Sequence, residues 1–244
     1  MLAPWITGKV IRIIDETSIT RRFWVEIPEK PVFDFQPGQF ITIDLPIHEK
    51  ANKRLRSYSL ASWPDGTNIF ELIIVKLEDG AGSTYLFNEI KVGSELKLRG
   101  PQGVFVLPPV LDKDLYLICT GTGIAPFRSM VHWIKDKKIP HHKIHLIFGC
   151  RTKADLLYYD ELRGLENELE GFNYHPVLSR EQWEGKTGYV HSIYMALFKN
   201  NSPETLPEPA YFLLCGWRAM IDEAKKNLLE LGHDKKTIHV ELYG

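Results

Sequence analysis

Residues 115–134, LYLICTGTGIAPFRSMVHWI, constrain the fold more than any other stretch of the chain. A short apolar run of strand length, residues 115–119, leads into Thr120, Gly121, Thr122 and Gly123, and Phe127, Met130, Val131 and Ile134 then recur at helical spacing. The chain therefore runs strand, tight turn, helix. Gly121 and Gly123 let a diphosphate approach the backbone closely, and the unpaired N–H groups that open the helix favour negative charge. Pro126 suits the first helical turn, where its missing N–H costs nothing. The turn departs from the G-x-G-x-x-G pattern, because Pro126 replaces the third glycine. The next apolar run, residues 144–148, ends in Gly149, Cys150 and Arg151, so a cation stands where a ribose-binding carboxylate is usual. Alone, such a turn reads either as a nucleotide site or as a plain strand-to-helix connection.

Beyond residue 110 the pattern repeats. Apolar runs at 115–119, 143–148, 172–178, 211–215 and 237–240 alternate with helical spacing at 126–137, 158–169, 187–198 and 217–231. Alternation of this kind predicts a parallel sheet with helices on both faces. Ligands of such sheets bind at the carboxyl ends of the strands, which places residues 120–123, Arg151, Ser179, Arg180, Cys215 and Gly216 along one rim.

Residues 5–106 read differently, as short strands separated by turn residues, at 8–14, 22–27, 39–45, 56–61, 69–77 and 95–98. Regular spacing of this kind predicts an antiparallel β-barrel or sandwich. One helix is expected over 83–90, presenting Gly82, Ser83 and Thr84 near its start, where Ser83 reads either as an N-cap or as a phosphate-facing hydroxyl. In the segment RLRSYSLAS, a strand puts Arg56, Tyr58 and Leu60 on one face and Ser57, Ser59 and Ala61 on the other. That is either a half-exposed strand or a platform able to pair a phosphate and stack a flat ring. Pro108 and Pro109 mark the joint, giving expected domains of 1–109 and 110–244.

Bulk properties exclude more than they assign. A net charge of -1 over 244 residues gives no reason to expect nucleic acid or an anionic membrane as partner. Cys119, Cys150 and Cys215 are too few and too scattered for a cysteine-ligated iron–sulfur cluster, and they fit a reducing cytosol. The nine histidines show no metal spacing, and no run of about 18 apolar residues suggests a membrane span. The expectation is a cytoplasmic monomer.

Taken together, Arg56-Ser57-Tyr58-Ser59, then Gly80-Ala81-Gly82-Ser83, then residues 121–126, then Cys215-Gly216 closely resemble the ferredoxin–NADP reductase family of flavoproteins, in order and spacing over nearly the whole chain. The resemblance implies an FAD-binding β-barrel followed by an α/β domain that binds NADP(H). It assigns Arg56, Ser57, Tyr58, Ser59, Val75, Lys76, Gly82, Ser83 and Thr84 to the flavin. It assigns Gly121, Thr122, Gly123, Pro126, Arg151, Cys215, Gly216 and Met220 to the nicotinamide nucleotide, with Ser179 and Arg180 on its 2′-phosphate. That last loop also reads as a solvated charged turn, and Tyr189 stands where related bacterial sequences have a second arginine.

Hydride transfer is expected beside Ser59, Cys215 and Glu241, with Tyr243 as an aromatic lid over the flavin, although Gly244 follows that tyrosine here. A nicotinamide moves two electrons as hydride, whereas a one-electron carrier takes them singly, and a flavin converts between the two. The implied activity is electron delivery from NADPH to a separate carrier such as ferredoxin or flavodoxin. The alternatives are the reductase component of a multicomponent oxygenase and a flavin-bound regulatory subunit without turnover.

Overall fold

The computed structural model describes residues 3–198 and 209–243. The chain divides into two compact units, the first built from Met1–Leu107 with Ala125–Trp133, the second from Pro108–Ile124 with Ile134–Gly244. Gly244 itself lies outside the described residues.

The first unit contains β1 (Trp5–Asp15), β2 (Thr20–Glu26), β3 (Phe40–Asp44), a short α1 (Ala51–Arg54), β4 (Leu55–Ser59), β5 (Ile69–Val75), α2 (Ala81–Asn88) and β6 (Glu95–Gln102). The strands form one sheet in the order β4-β3-β6-β1-β2-β5, antiparallel at every pairing. Its end strands are drawn together just past β4, where the Ala61 N–H donates to the Glu71 carbonyl at 2.8 Å and the Glu71 N–H donates to Ser62 Oγ at 2.9 Å. The sheet thus curls into the expected barrel. Alternation explains the filling: Phe23 and Val25 of β2, Ile41 and Ile43 of β3, and Leu96 and Leu98 of β6 all point into one buried cluster. Truncating a side chain as enclosed as Ile43 to alanine costs about 2–5 kcal/mol.

The second half of the chain gives β7 (Asp114–Thr120), α3 (Ala125–Lys137), β8 (Ile144–Cys150), α4 (Tyr159–Glu168), β9 (Phe172–Leu178), β10 (Lys186–Thr187), α5 (Val190–Phe198), β11 (Ala210–Trp217), α6 (Arg218–Glu230) and β12 (Ile238–Tyr243). The sheet order is β10-β9-β8-β7-β11-β12, with all pairings parallel. Leu115, Leu117, Ile118, Leu146, Ile147 and Phe148 are all buried, as strands covered on both faces require. Helix α3 starts with Pro126 in its first turn and stops at Lys138, whose left-handed backbone lets the Ile139 N–H return to the Ile134 carbonyl at 3.0 Å.

Among the boundaries that differ from the sequence expectation, two have a local reason in the chain itself. Helix α5 begins at Val190 rather than 187, because Lys186 and Thr187 pair with β9 and Gly188 breaks the backbone at φ +112. Strand β12 begins only at Ile238, after a 3-10 turn over Lys235–Thr237 capped by Asp234, and runs on through Tyr243. Between neighbouring strands β8 and β9, His145 Nδ1 and His175 Nε2 lie 3.1 Å apart. Burial holds both imidazoles below their usual range, His175 down to about 4, with the Lys186 charge and His145 adding to the effect.

Candidate functional site

In the second unit the parallel strands end on one rim, β7 at Thr120, β8 at Cys150, β9 at Leu178 and β11 at Trp217. The 3-10 turn Gly121–Ile124 follows β7 directly. It is locked to β11 by close backbone approach: a Cβ on Gly123 would lie 2.5 Å from the Cys215 carbonyl oxygen. A Cβ on Gly216, at φ +143, would lie 2.5 Å from Thr120 Oγ1. No residue but glycine fits either place without displacing the other segment. Thr120 Oγ1 is buried in this interlock and has no hydrogen-bond partner among the described residues. A buried hydroxyl left unsatisfied on a strand-end rim fits a site that a polar ligand completes.

Cys215 is fully buried and stands in register between Cys119 of β7 and Glu241 of β12. Burial pushes its thiol well above the ordinary range, Glu241 and Cys119 push it further, and Tyr243 opposes them in part. It is therefore a neutral thiol, small and polarisable, and not a nucleophile. Met220, in the first turn of α6, brings Cε to 3.2 Å from the position of a Gly216 Cβ. Tyr243 pairs in register with Trp217 at the end of the same ladder.

Past the ends of β8 and β9 the two chains stay zipped. The Ser179 N–H and hydroxyl both donate to the Cys150 carbonyl, at 3.0 and 3.2 Å, and the Arg180 N–H donates to the Arg151 carbonyl at 2.9 Å. Arg151 and Arg180 thus stand side by side, both exposed. The loop beyond is anchored by Glu181, which accepts from the Lys153 N–H at 2.7 Å, and by the Trp183 indole N–H, which donates to the Lys186 carbonyl at 2.7 Å. Two arginines whose backbones are joined at the end of the sheet offer cationic side chains of the kind that pair with a phosphate through N–H donors. Tyr189 is 70% exposed.

In the first unit, β4 and the start of α2 meet. A Cβ on Gly82 would fall 2.9 Å from Arg56 Cγ and Nε, so the helix opens directly against that arginine. Arg56 Nη1 donates to the Lys53 and Leu55 carbonyls at 3.0 and 2.8 Å, which aims the guanidinium. The helix is displaced from the expected 83–90. Its N-cap is Gly80, it begins at Ala81, and Ser83 lies inside the first turn. The Ser83 hydroxyl donates to the Gly80 carbonyl and accepts from the Leu77 N–H, both at 3.0 Å, so its hydrogen is taken up by the turn. Donors toward an anion here come from the Arg56 side chain and the backbone that opens the helix. Thr84 gives its N–H to the Gly80 carbonyl at 2.9 Å. Val75 ends β5, and the next N–H, that of Lys76, bonds to the Ile19 carbonyl at 2.7 Å.

Tyr58 is half-buried against the barrel core. Burial lifts its hydroxyl to about 12, with Arg56 opposing, so the ring is a neutral platform. Ser57 is exposed and shares a 3.1 Å hydrogen bond with Thr42, whereas Ser59 is buried. The two-faced alternation ends with the strand, since Leu60 and Ala61 are both fully buried.

A further cluster escaped sequence reasoning. Arg128 of α3 is buried, and its Nη1 donates to the Ala61 carbonyl at 2.9 Å and to Glu71 Oε2 at 3.1 Å. Glu71 also holds Arg22, whose Nε lies 2.6 Å from Oε1. The available signal was a charge set inside an apolar pattern: Glu71 interrupts the run IFELIIV, and Arg128 follows Phe127 on a mostly apolar helix.

A barrel with an arginine–tyrosine strand, followed by a parallel sheet with a glycine turn at its rim, defines a flavin- and pyridine-nucleotide-dependent oxidoreductase. The oxidoreductase FAD-binding domain matches residues 8–107, and the oxidoreductase NAD-binding domain matches residues 117–226. Ferredoxin--NADP reductase B of Sorangium cellulosum is 30% identical over 97% of this chain and 96% of its own length. The anthranilate 1,2-dioxygenase electron transfer component of Acinetobacter baylyi is 34% identical over 92% of this chain, which covers 62% of that protein. A solved ferredoxin NADP+ reductase from Neisseria gonorrhoeae, with bound FAD and NADP, superposes with a TM-score of 0.78 at 27% identity, over 98% of this chain and 99% of that one. The chain belongs to the ferredoxin–NADP reductase family. It is a flavoprotein reductase whose cofactors are FAD and a nicotinamide dinucleotide. No described helix is long and apolar enough to cross a membrane.

Proposed function

We propose that the chain takes hydride from NADPH in preference to NADH and passes electrons singly to a separate carrier such as ferredoxin or flavodoxin. The observation that carries the cofactor preference is the zipped pair of exposed arginines, Arg151 and Arg180, with the Ser179 hydroxyl beside them. The bound flavin supplies the exchange between two-electron and one-electron chemistry.

The chain's own residues bind and orient. Arg56 and the backbone opening α2 hold the flavin diphosphate, Tyr58 supports its ring, and Ser57, Ser59, Val75, Lys76, Gly82, Ser83 and Thr84 line its place. The turn over Gly121, Thr122 and Gly123, with Pro126 in the following helix, Cys215, Gly216 and Met220, receives the nicotinamide nucleotide. Ser59, Cys215 and Glu241 would serve the reacting end, and Tyr243 would act as the aromatic lid of the flavin ring. The working division of the chain is 1–109 for flavin and 110–244 for nicotinamide nucleotide.

The near full-length match to the Sorangium ferredoxin reductase supports a separate acceptor. The match to the Acinetobacter dioxygenase component supports a second reading, a reductase serving an oxygenase. Steady reduction of ferricyanide by NADPH and NADH, followed by the same assay with purified ferredoxin, flavodoxin and an oxygenase component, separates the readings. Turnover with NADH alone, or with the oxygenase component alone, overturns the first.

A further inference from the structure

Between β9 and β10, residues 179–185 carry one cation, Arg180, and two carboxylates, Glu181 and Glu184. In a loose loop either carboxylate would fold back on that guanidinium and cancel the charge that an anion needs. Both are taken up instead by one residue of the neighbouring turn: Lys153 gives its N–H to Glu181 Oε2 at 2.7 Å and its Nζ to Glu184 Oε1 at 2.6 Å. Arg151 and Arg180 are left with no ion pair among the described residues. The second hold on the loop is Trp183, half-buried where Glu181, Gln182, Glu184 and Gly185 are exposed. Besides its 2.7 Å bond to the Lys186 carbonyl, the indole meets Tyr159 of α4 edge-on, ring centres 6.0 Å apart. Tyr159 lies 6.2 Å from Tyr174 of β9, and the Arg163 guanidinium covers both rings at 5.6 and 5.5 Å. The loop also wraps the indole: a Cβ on Gly185 would lie 2.3 Å from Trp183 Cζ2 and 2.6 Å from Cε2. Gly185 does not have a left-handed backbone, so glycine is needed there for room and not for chain direction.

A loop without such holds is ordered only when its ligand arrives, and the ligand's affinity is lowered by the cost of ordering it. We propose that Trp183 is a specificity-determining positioning residue for the 2′-phosphate of the nicotinamide nucleotide: by fixing residues 183–186 against α4, it keeps Glu184 on Lys153 and the loop formed before the nucleotide binds. The inference rests on the reading that Ser179 and Arg180 take that phosphate. A nucleotide without the phosphate does not engage the loop, so its affinity is independent of the hold. Every group involved belongs to the second unit.

The test is calorimetric titration of the full-length holoprotein with NADP and with NAD, in the parent and in Trp183→Leu, Trp183→Phe and Gly185→Ala. Trp183→Leu removes the indole donor and the edge contact, whereas Gly185→Ala leaves Trp183 in the sequence and drives a methyl group into its ring. Each of these two should weaken NADP roughly 5- to 30-fold, with a larger entropic penalty, and change NAD by less than about twofold. Hydrogen exchange at the amides of residues 181–186 should speed up in the nucleotide-free protein, while FAD content stays at the parent level. Trp183→Phe, which keeps a ring against Tyr159 but has no donor for the Lys186 carbonyl, should fall between. A parent that binds NADP no better than NAD removes the 2′-phosphate reading, and the inference with it. Where the parent prefers NADP, the inference alone is overturned if either Trp183→Leu or Gly185→Ala keeps the parent's ratio of affinities. Equal losses for NADP and NAD, or weakened NADP with unchanged exchange in the loop, overturn it as well.

Discussion

Replacing Gly123 with alanine sets a methyl group 2.5 Å from the Cys215 carbonyl oxygen and 2.8 Å from its carbon, where ordinary contact begins at 3.4 Å. One segment must yield by about 0.9 Å. Cys215 is held in ladders on both sides, by Cys119 and Glu241, so the turn is the part that moves. Overpacking of this kind costs about 1–3 kcal/mol, or roughly 2–10 °C in Tm for a chain of this size. A shift approaching 1 Å in the turn's N–H groups costs up to about a hundredfold in the limiting rate of flavin reduction. Titration with NADP, calorimetric unfolding and stopped-flow reduction read the three effects separately. Gly164, inside α4 with open space where its Cβ would go, is the control: alanine there is neutral or stabilising by up to about 1 kcal/mol. If Gly123→Ala matches Gly164→Ala in Tm, affinity and rate, the interlock of the turn with β11 constrains nothing.

Arg56→Ala should purify with much of its FAD lost, and a full yellow complement in that variant would refute the role given to the arginine. Because a charge-assisted phosphate contact is worth about 1.5–3 kcal/mol, Arg180→Ala should lower kcat/KM for NADPH roughly ten- to a hundredfold while leaving NADH nearly unchanged; equal losses for both would remove the basis of the preference. Cys215→Ala should slow flavin reduction more than it weakens NADPH binding, and a change in affinity alone would leave the thiol as packing only. His175 is held near 4 when folded against 6.5 as its reference, so the unfolded chain takes up more protons below pH 6.5. Stability should therefore fall on acidification between about pH 6.5 and 4, by up to about 1.4 kcal/mol per pH unit from this group, and urea titrations of His175→Gln should show a flatter profile. Parallel profiles for the two proteins would contradict the neutral state of this half-buried imidazole.

Periodicity carried most of the architecture. Strand β9 is bounded at Phe172–Leu178, where the apolar run itself ends, and α3 follows from Pro126 and the spacing of Phe127, Met130, Val131 and Ile134. What stayed hidden were features decided by partners far along the chain. Two residues, Lys186 and Thr187, have no period to read and become β10 only because β9 offers an open edge. A serine before an apolar helix looks like a cap, yet Gly80 takes that place and Ser83 closes the preceding turn through Leu77. The glycine turn was visible as a turn, but its interlock with Gly216, 93 positions away, is a property of the folded sheet. Arg128 and Glu71 lie 57 residues apart and are recognised only when the barrel brings β5 under the helix.

Helix α3 has a consequence for anyone recombining members of this family. Its first nine residues, Ala125–Trp133, pack with the barrel, although in the sequence they lie well past the double proline that looks like the natural cutting point. A chimera joined at residue 108 would therefore import a helix whose Arg128 was fitted to another parent's glutamate and whose Phe127 was fitted to another parent's Phe105. The exchangeable module is discontinuous. A functional graft must carry Ala125–Trp133 along with the barrel, or re-match Phe105, Ala61 and Glu71 to the incoming helix.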